Sequence, residues 1–313
     1  MQTIYCIGEL LIDFVAENQG SDLSKADVFT KKPGGAPANV ACAVAKLGGK
    51  SKFVGCVGED PFGTYLLDTL EKNRVNVTLA QRSKHFTTLA YVSIASNGER
   101  DFVFSRGADK KLEYDAVVKN GFKGNVVHFG SATALLGGGL NDAYDRYLVD
   151  ALAQEALISF DPNFRGDLWK GEEGTFIEKC RHFVEKAHLC KFSLEEAQLL
   201  SGENDVEKAC AVLHGIGSPI IAITLGKKGT LLSTPDFKRR VASVKVEPID
   251  TTGAGDAFIG CLLYQIARLK NPHQILDDTD QLVPMVEKAN WAGAITTTNY
   301  GAIPALPEYD AIF

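Results

Sequence analysis

An α/β fold with a mostly parallel central sheet, helices on both faces and a small second sheet is what this chain predicts. Two observations carry that expectation. Apolar strand-like runs alternate with helix-like segments, and one period-two stretch breaks the alternation. The strand-like runs are Thr3–Ile12, Lys52–Val57, Asn125–Phe129, Leu157–Asp161, Leu189–Phe192 and Pro219–Leu225. Between them lie amphipathic or small-residue helical stretches, Ala38–Leu47, Phe62–Lys72, Leu140–Gln154, Thr175–Lys186 and Val206–Gly217. Regular strand–helix alternation implies parallel strands covered on both faces. The exception is Thr88–Ser96 and Arg100–Arg106, which alternate with period two around Asn97-Gly98, a type I′ hairpin signal. The loop-rich stretch Asp13–Pro33 is also too long for a simple βα connection. The two insertions, about 13–33 and 86–110, are expected to pair into a small sheet that lids a cleft or makes a dimer contact. At 313 residues, with no internal repeat or linker-like tract, the chain suits one large domain, 1–313, with this appendage.

Bulk properties exclude several classes. A net charge of −6 gives no electrostatic reason to expect nucleic acid or an anionic membrane as partner. No apolar run approaches a membrane span, and Met1-Gln2-Thr3 leads straight into an apolar strand, unlike a signal peptide. The seven cysteines are scattered, odd in number and never in a Cys-x-x-Cys pair, so they read as reduced core residues of a cytoplasmic protein. The six histidines show no metal-ligand spacing.

The most informative stretch is Asp250-Thr251-Thr252-Gly253-Ala254-Gly255-Asp256-Ala257-Phe258. Ser243–Ile249 before it reads as a strand, and the apolar, proline-free segment after it, to about Lys270, reads as a buried helix. Gly253, Ala254 and Gly255 then present bare backbone N–H groups at a helix start, a site for phosphate or another anion. A carboxylate in that turn repels a resting anion but suits a base that takes a proton from a hydroxyl attacking phosphorus. Asp256 also fits the plainer role of a first-turn partner of the helix dipole. A second constellation lies near the N-terminus, in Gly8-Glu9-Leu10-Leu11-Ile12-Asp13 and Pro33-Gly34-Gly35-Ala36-Pro37-Ala38-Asn39. Asp13 and Asn39 beside the Gly34-Gly35 floor suit a polyol; a strand-end Asp and an ordinary helix start fit equally well.

Together, in this order along the chain, these segments resemble the two signatures of the ribokinase-like (phosphofructokinase B) sugar kinases. Asp161-Pro162-Asn163-Phe164-Arg165, Ile223-Thr224-Leu225-Gly226, and Asn290 before Gly301-Ala302-Ile303-Pro304 extend the resemblance over essentially the whole chain, with the fructokinase branch the nearest. The resemblance implies a three-layer ribokinase-like fold and ATP-dependent phosphorylation of a sugar primary hydroxyl, with fructose converted to fructose 6-phosphate. It implies Asp256 as general base and the amides of Gly253, Ala254 and Gly255 as anion hole, with Arg165 near the transferring phosphate. Asp13, Gly34, Gly35, Asn39 and Asn163 then serve the sugar, and Phe104 and Arg106 close over it. Lys191, Ser193, Thr224, Gly226 and Gly229 fall at nucleotide positions, with Asn290 near the adenine. Where the family commonly has Asn-x-x-Glu, this chain has Ser193-Leu194-Glu195-Glu196, leaving Glu196 to act on Mg²⁺ through water and Glu195 as its neighbouring rival. The carbonyls of Asp250, Thr252, Asn299, Gly301 and Ala305 match a K⁺ site in related kinases; simple loop packing beside the helix fits them as well.

Sugar and ATP are therefore the expected partners, and the lid edge suits a homodimer. Kinases for 2-keto-3-deoxygluconate or ribose are the enzyme alternatives. A non-catalytic sugar- or nucleotide-binding regulator is the alternative of another class, disfavoured because a sensor needs no base. A dinucleotide-dependent oxidoreductase is disfavoured because no Gly-x-Gly-x-x-Gly follows the first strand.

Overall fold

The computed structural model describes residues 1–17, 20, 22–94 and 100–313. Its strands are β1 (Thr3–Ile7), β2 (Leu11–Ala16), β3 (Phe29–Gly34), β4 (Lys50–Val54), β5 (Cys56–Gly58), β6 (Gln81–Ser83) and β7 (Leu89–Ile94). They continue as β8 (Arg100–Ser105), β9 (Val126–Phe129), β10 (Leu157–Phe160), β11 (Leu189–Ser193), β12 (Ile220–Thr224), β13 (Thr230–Ser233) and β14 (Lys238–Val241). The helices are α1 (Ala36–Lys46), α2 (Pro61–Lys72), α3 (Gly139–Ala153), α4 (Gly166–Trp169) and α5 (Glu173–Lys186). They are followed by α6 (Leu194–Ser201), α7 (Val206–Ile216), α8 (Ala254–Ile266), α9 (Gln274–Asp277) and α10 (Leu282–Thr296).

An eight-stranded sheet in the order β14-β13-β12-β11-β10-β9-β1-β4 forms the centre. Pairing is parallel from β12 through to β4; only β13 and β14 add antiparallel. The inner strands are mostly apolar on both sides because both sides are buried, whereas the edge strand β14 is charged and exposed. In β1, Ile4 and Cys6 enter a core shared with α1, α8 and α10, whereas Tyr5 and Ile7 enter a second core with α3, α5 and α7. All seven cysteines are buried and unpaired. Among the described residues no helix is long and apolar enough to cross a membrane.

The two insertions pair as expected, giving a four-stranded sheet in the order β3-β2-β7-β8. β7 and β8 are antiparallel; the Asn97-Gly98 turn between them lies outside the described residues. Several expected boundaries need correction. The predicted first strand, Thr3–Ile12, is two strands in two sheets, because the chain turns at Gly8, whose φ of +147 breaks the run. Lys52–Val57 likewise divides into β4 and β5. The stretch 13–33 is less loop-rich than expected, since β2 and β3 occupy its ends. Ser243–Ile249 is no strand at all. Its alternation is real, but it pairs with no sheet edge, so Val244 and Ile249 remain 41% and 55% exposed.

Helices α1 and α8 pack against each other at unusually short range, and Gly260 makes this possible. A Cβ at Gly260 would lie 2.6 Å from Ala43 Cβ. One turn nearer each helix start stand Asn39 on α1 and Asp256 on α8, so the contact sets their separation. Gly260→Val is expected to lower stability by about 1–3 kcal/mol, the scale of core overpacking, outweighing the roughly 0.5 kcal/mol of helix propensity gained over glycine. Chemical denaturation measures it; an unchanged midpoint shows that the helices separate freely.

Candidate functional site

Over the carboxyl edge of the parallel strands lies a cavity of about 520 Å³. Glu9 borders it just beyond β1, Ala132 beyond β9, and Asn163, Phe164 and Arg165 beyond β10; Ser193 and Thr224 close the ends of β11 and β12. This is where open α/β sheets bind ligands, and the strand order departs in both directions from β1 at this point. The small sheet forms the facing wall. Leu11, Asp13 and Val15 of β2, at period two, look inward together with Phe102 and Phe104 of β8, whose rings stack 6.1 Å apart. A second cavity of about 700 Å³ opens at the opposite sheet edge around Gln2, Glu155, His188 and His273. None of the expected site residues borders it.

Asp256, in the first turn of α8, is buried beside the cavity. Asn39 Nδ2 donates a 2.8 Å hydrogen bond to its Oδ2. Burial raises the Asp256 carboxyl to a pKa of about 6; the Asn39 bond opposes this, Asp161 adds to it, and Lys191 and Arg165 pull it back. Asn39 Oδ1 is buried without a hydrogen-bond partner, an acceptor suited to a ligand hydroxyl. Gly253 starts the helix in the left-handed region, and a Cβ there would meet Ala302 Cβ at 2.7 Å. Gly253 and Gly255 border the cavity. Ala254 does not, and its N–H points to Thr251 O at 3.4 Å.

A charged cluster stands beside this turn. Lys191 Nζ lies 2.9 Å from Asp161 Oδ2, both side chains deeply buried. Burial lowers the affinity of Lys191 for its proton, but Asp161 and Glu196 outweigh it and leave its pKa raised. Glu196 is raised by burial, against the pull of Lys191. Its Oε2 accepts from Ser193 N at 2.7 Å, while Glu196 N donates to Ser193 Oγ at 3.1 Å, a capping box at the start of α6. Its Oε1 accepts from Phe164 N at 2.8 Å. Ser193 and Glu196 thus shape the wall as well as line it, and Glu195 also borders the cavity. Asn163 adopts φ +48, and its Oδ1 accepts from Arg165 Nη2 at 3.1 Å, which aims the guanidinium along the cavity rim.

Other expected residues are placed as follows. Asp13 lines the cavity, and its carboxylate fills the space over Gly34, where a Cβ would lie 2.0 Å from Oδ2. Gly34 is thus the bare floor beneath Asp13, and Gly35 borders the cavity directly. Asp250 Oδ1 accepts from Thr252 N and Oγ1, and Oδ2 from Gly301 N at 2.9 Å, tying together the two loops that carry the carbonyls of Asp250, Thr252, Asn299, Gly301 and Ala305. That donor set, all main-chain oxygen, fits a weakly hydrated cation. Asn299 and Ala305 stand back from the cavity. Thr224 lines it, but its hydroxyl donates to Phe192 O at 3.2 Å. Gly226 and Gly229, both at positive φ, bracket the loop after β12, outside the cavity lining.

Two expectations require correction. Arg106 does not border the cavity: Nε donates to Asp109 Oδ2 at 3.0 Å, Nη2 pairs with the same oxygen, and Nη1 reaches Gly137 O. Buried Asp109, itself held by Thr88 Oγ1, attracts the guanidinium away from the sheet face on which Phe102 and Phe104 lie. Asn290 does not border it either. Its Oδ1 accepts from Thr230 Oγ1 at 2.6 Å and its Nδ2 donates to Val241 O and Ala242 O, clamping α10 to the β13–β14 edge.

Sequence reasoning quoted Glu9 and Asp161 within motifs without giving either a role, and it passed over Lys32. Glu9 is 1% exposed and accepts from Ala36 N at 3.2 Å, Ala132 N at 3.3 Å and Ser131 Oγ. It joins the ends of β1 and β9 to the start of α1. A carboxylate inside an apolar strand-end motif was the available signal. Among the described residues no group of three or more His, Cys, Asp or Glu side chains is arranged to hold a metal ion.

Comparison with known proteins bears on this geometry. The model of the pfkB family carbohydrate kinases matches residues 1–309. Fructokinase-2 of Zea mays is 40% identical over 310 residues, covering 97% of this chain and 91% of that protein. A crystal structure of fructokinase with bound ATP from Xylella fastidiosa superposes with a TM-score of 0.85 at 30% identity, covering 99% of this chain and 96% of that one. A fructokinase double mutant from Vibrio cholerae O395, solved with fructose, ADP and potassium ion bound, gives 0.82 at 30% identity over 100% and 97% of the two chains.

The raised Asp256 pKa has a sign that can be measured. Its carboxyl holds its proton more tightly when folded, so ionisation costs stability above pH 6, and the penalty fades as pH falls from 6 toward 4. Asp256→Asn is therefore expected to stabilise the protein at pH 7, by up to about 3 kcal/mol, and to be neutral below pH 4. Thermal unfolding at the two pH values checks it; a less stable variant at pH 7 contradicts the assignment.

Proposed function

This chain belongs to the pfkB family of carbohydrate kinases, and on that premise we propose that it transfers the γ-phosphoryl of ATP to a primary hydroxyl of D-fructose, giving fructose 6-phosphate. One observation carries the reading: a buried carboxylate, Asp256, held by Asn39 at the glycine-lined start of α8. The fructokinase names of the relatives, and the fructose and ADP bound to the Vibrio protein, support the choice of sugar.

In this reading Asp13, Asn39 and Gly35 receive the sugar, with the orphan Oδ1 of Asn39 accepting a hydrogen bond from a hydroxyl. Asp256 accepts the proton of the attacking hydroxyl as its bond to phosphorus forms. With a pKa of about 6 it is ionised at neutral pH, yet a stronger base than a surface aspartate. Phosphoryl transfer has a loose transition state, so positioning and charge dominate. The amides of Gly253 and Gly255, with Arg165 and Lys191, meet the developing charge on the phosphoryl oxygens. Ser193 and Thr224 flank the nucleotide, with the Gly226–Gly229 loop behind them. Mg²⁺ supplies charge neutralisation when bound with ATP. The residues present fit an ion held by phosphate and water, with Glu196, already engaged by two backbone amides, touching that hydration. The carbonyls of Asp250, Thr252, Asn299, Gly301 and Ala305 would hold K⁺, whose charge would stiffen the start of α8 from outside the cavity.

Residues 1–313 act as one kinase unit, with the small sheet as lid and Phe104 over the sugar. The unpaired edges of that sheet suit a homodimer, and the buried free cysteines suit the cytoplasm. Arg106, already paired with Asp109, is withdrawn from any substrate carboxylate, which favours a neutral sugar over 2-keto-3-deoxygluconate.

ATP consumption across fructose, ribose, 2-keto-3-deoxygluconate, adenosine and fructose 6-phosphate, with and without K⁺, tests the assignment. Fructose is expected to give the highest kcat/KM; preference for another acceptor replaces it. Asp256→Asn is expected to lower kcat at least about 10²-fold with KM for both substrates little changed. Near wild-type turnover removes Asp256 from the chemistry.

A further inference from the structure

Lys191 occupies a position that is electrostatically unfavourable twice over. Its side chain is only 8% exposed, and its ammonium lies against the first turn of α8, where a Cβ on Gly255 would stand 3.0 Å from Nζ. Burial disfavours the charged lysine, and the positive end of a helix dipole repels it. The nearby imidazole gives no help. His128, on the next strand but one, is buried, bonded to Ser159 Oγ at 3.1 Å and kept neutral by burial and by Lys191 itself. Glu196, with both oxygens accepting from backbone amides, and Asp256 support the charge from farther off. The direct counter-charge is Asp161, 1% exposed, 2.9 Å from Nζ through Oδ2, with its other oxygen fixed by Asn163 N at 3.3 Å.

We propose that Asp161, at the end of β10, is a positioning residue that holds Lys191 protonated beside the Gly255 amide, so that ammonium and amide face the transferring phosphoryl together. The proposal rests on the phosphoryl-transfer reading above. Oδ2 of Asp161 meets the Lys191 ammonium at 2.9 Å and engages no other donor. One contact balances the charge and leaves the other N–H donors of the ammonium for a ligand. Asp161 touches no reacting atom; it acts through Lys191.

A double-mutant cycle in the full-length enzyme tests this. Lys191→Met is expected to lower kcat at least about 10²-fold, and Lys191→Arg to recover part of that loss. Asp161→Asn is expected to lower kcat about tenfold or more alone, and by less than about twofold in the Lys191→Met background. Equal losses in both backgrounds overturn the proposal, because Asp161 then acts independently of Lys191. A second readout needs no turnover. In ¹⁵N-lysine NMR the Lys191 ammonium signal is expected in the wild type, and its titration should move to lower pH in Asp161→Asn. An unmoved Lys191 titration overturns the proposal whatever the kinetics. If the wild type phosphorylates no sugar, the kinase reading falls, while the NMR arm still decides the link between Asp161 and Lys191.

Discussion

The close contact between α1 and α8 is the constraint on which the rest of the site depends. Both helices start at the cavity, and each carries a polar residue in its first turn followed one turn later by a small one. Gly260 and Ala43 let the helix backbones approach, and that approach sets the 2.8 Å bond between Asn39 and Asp256. The two residues are 217 positions apart in sequence. Their geometry is therefore a property of helix packing in a dense core, where a single methyl group shifts the neighbours.

Around that bond the site collects opposed charges and fixes each one. Asp256, Asp161 and Glu196 face Lys191 and Arg165 at one end of the sheet. Glu196 is anchored by a helix cap and by Phe164 N, Arg165 by Asn163, and Lys191 by Asp161. Charges held this way need little rearrangement when a substrate carrying several negative charges arrives, which is how electrostatic preorganisation contributes to rate. The raised carboxyl of Asp256 is the counterpart: burial beside other acids destabilises its ionised form and makes it a better proton acceptor.

The small sheet supplies shape. Period two puts Leu11, Asp13 and Val15 on the cavity face of β2, while Phe14 turns outward to stack with Tyr91 at 5.4 Å and meet Phe62 edge-on. Asp13 settles over Gly34 of the neighbouring strand because that position has no side chain. Asp13 and Lys32 are the polar residues on a wall otherwise lined by Leu11, Val15, Pro33, Val92, Phe102 and Phe104, so a polyol meets its anchors at one place.

Element type and order were legible in the sequence wherever a residue's surroundings are local. The alternating runs reported the parallel sheet, because burial on both faces demands apolar strands. The glycines of 253–255 reported a helix start that presents amides, and the period-two stretches reported the second sheet. Ser243–Ile249 misled for the same local reason, since alternation describes a strand that still needs an edge to pair with. What only the tertiary structure decided were the partners of long side chains. Arg106 shares the alternation of Phe102 and Phe104, yet its reach takes it to Asp109; Asn290 looks like a ligand-binding amide, yet it clamps α10 to a strand edge. Glu9 and Asp161 read as incidental acids at strand ends until the fold surrounds them with donors and a buried lysine. Periodicity is written by neighbours in the chain, whereas charge pairing and pKa depend on groups that only folding brings within a few ångströms of each other.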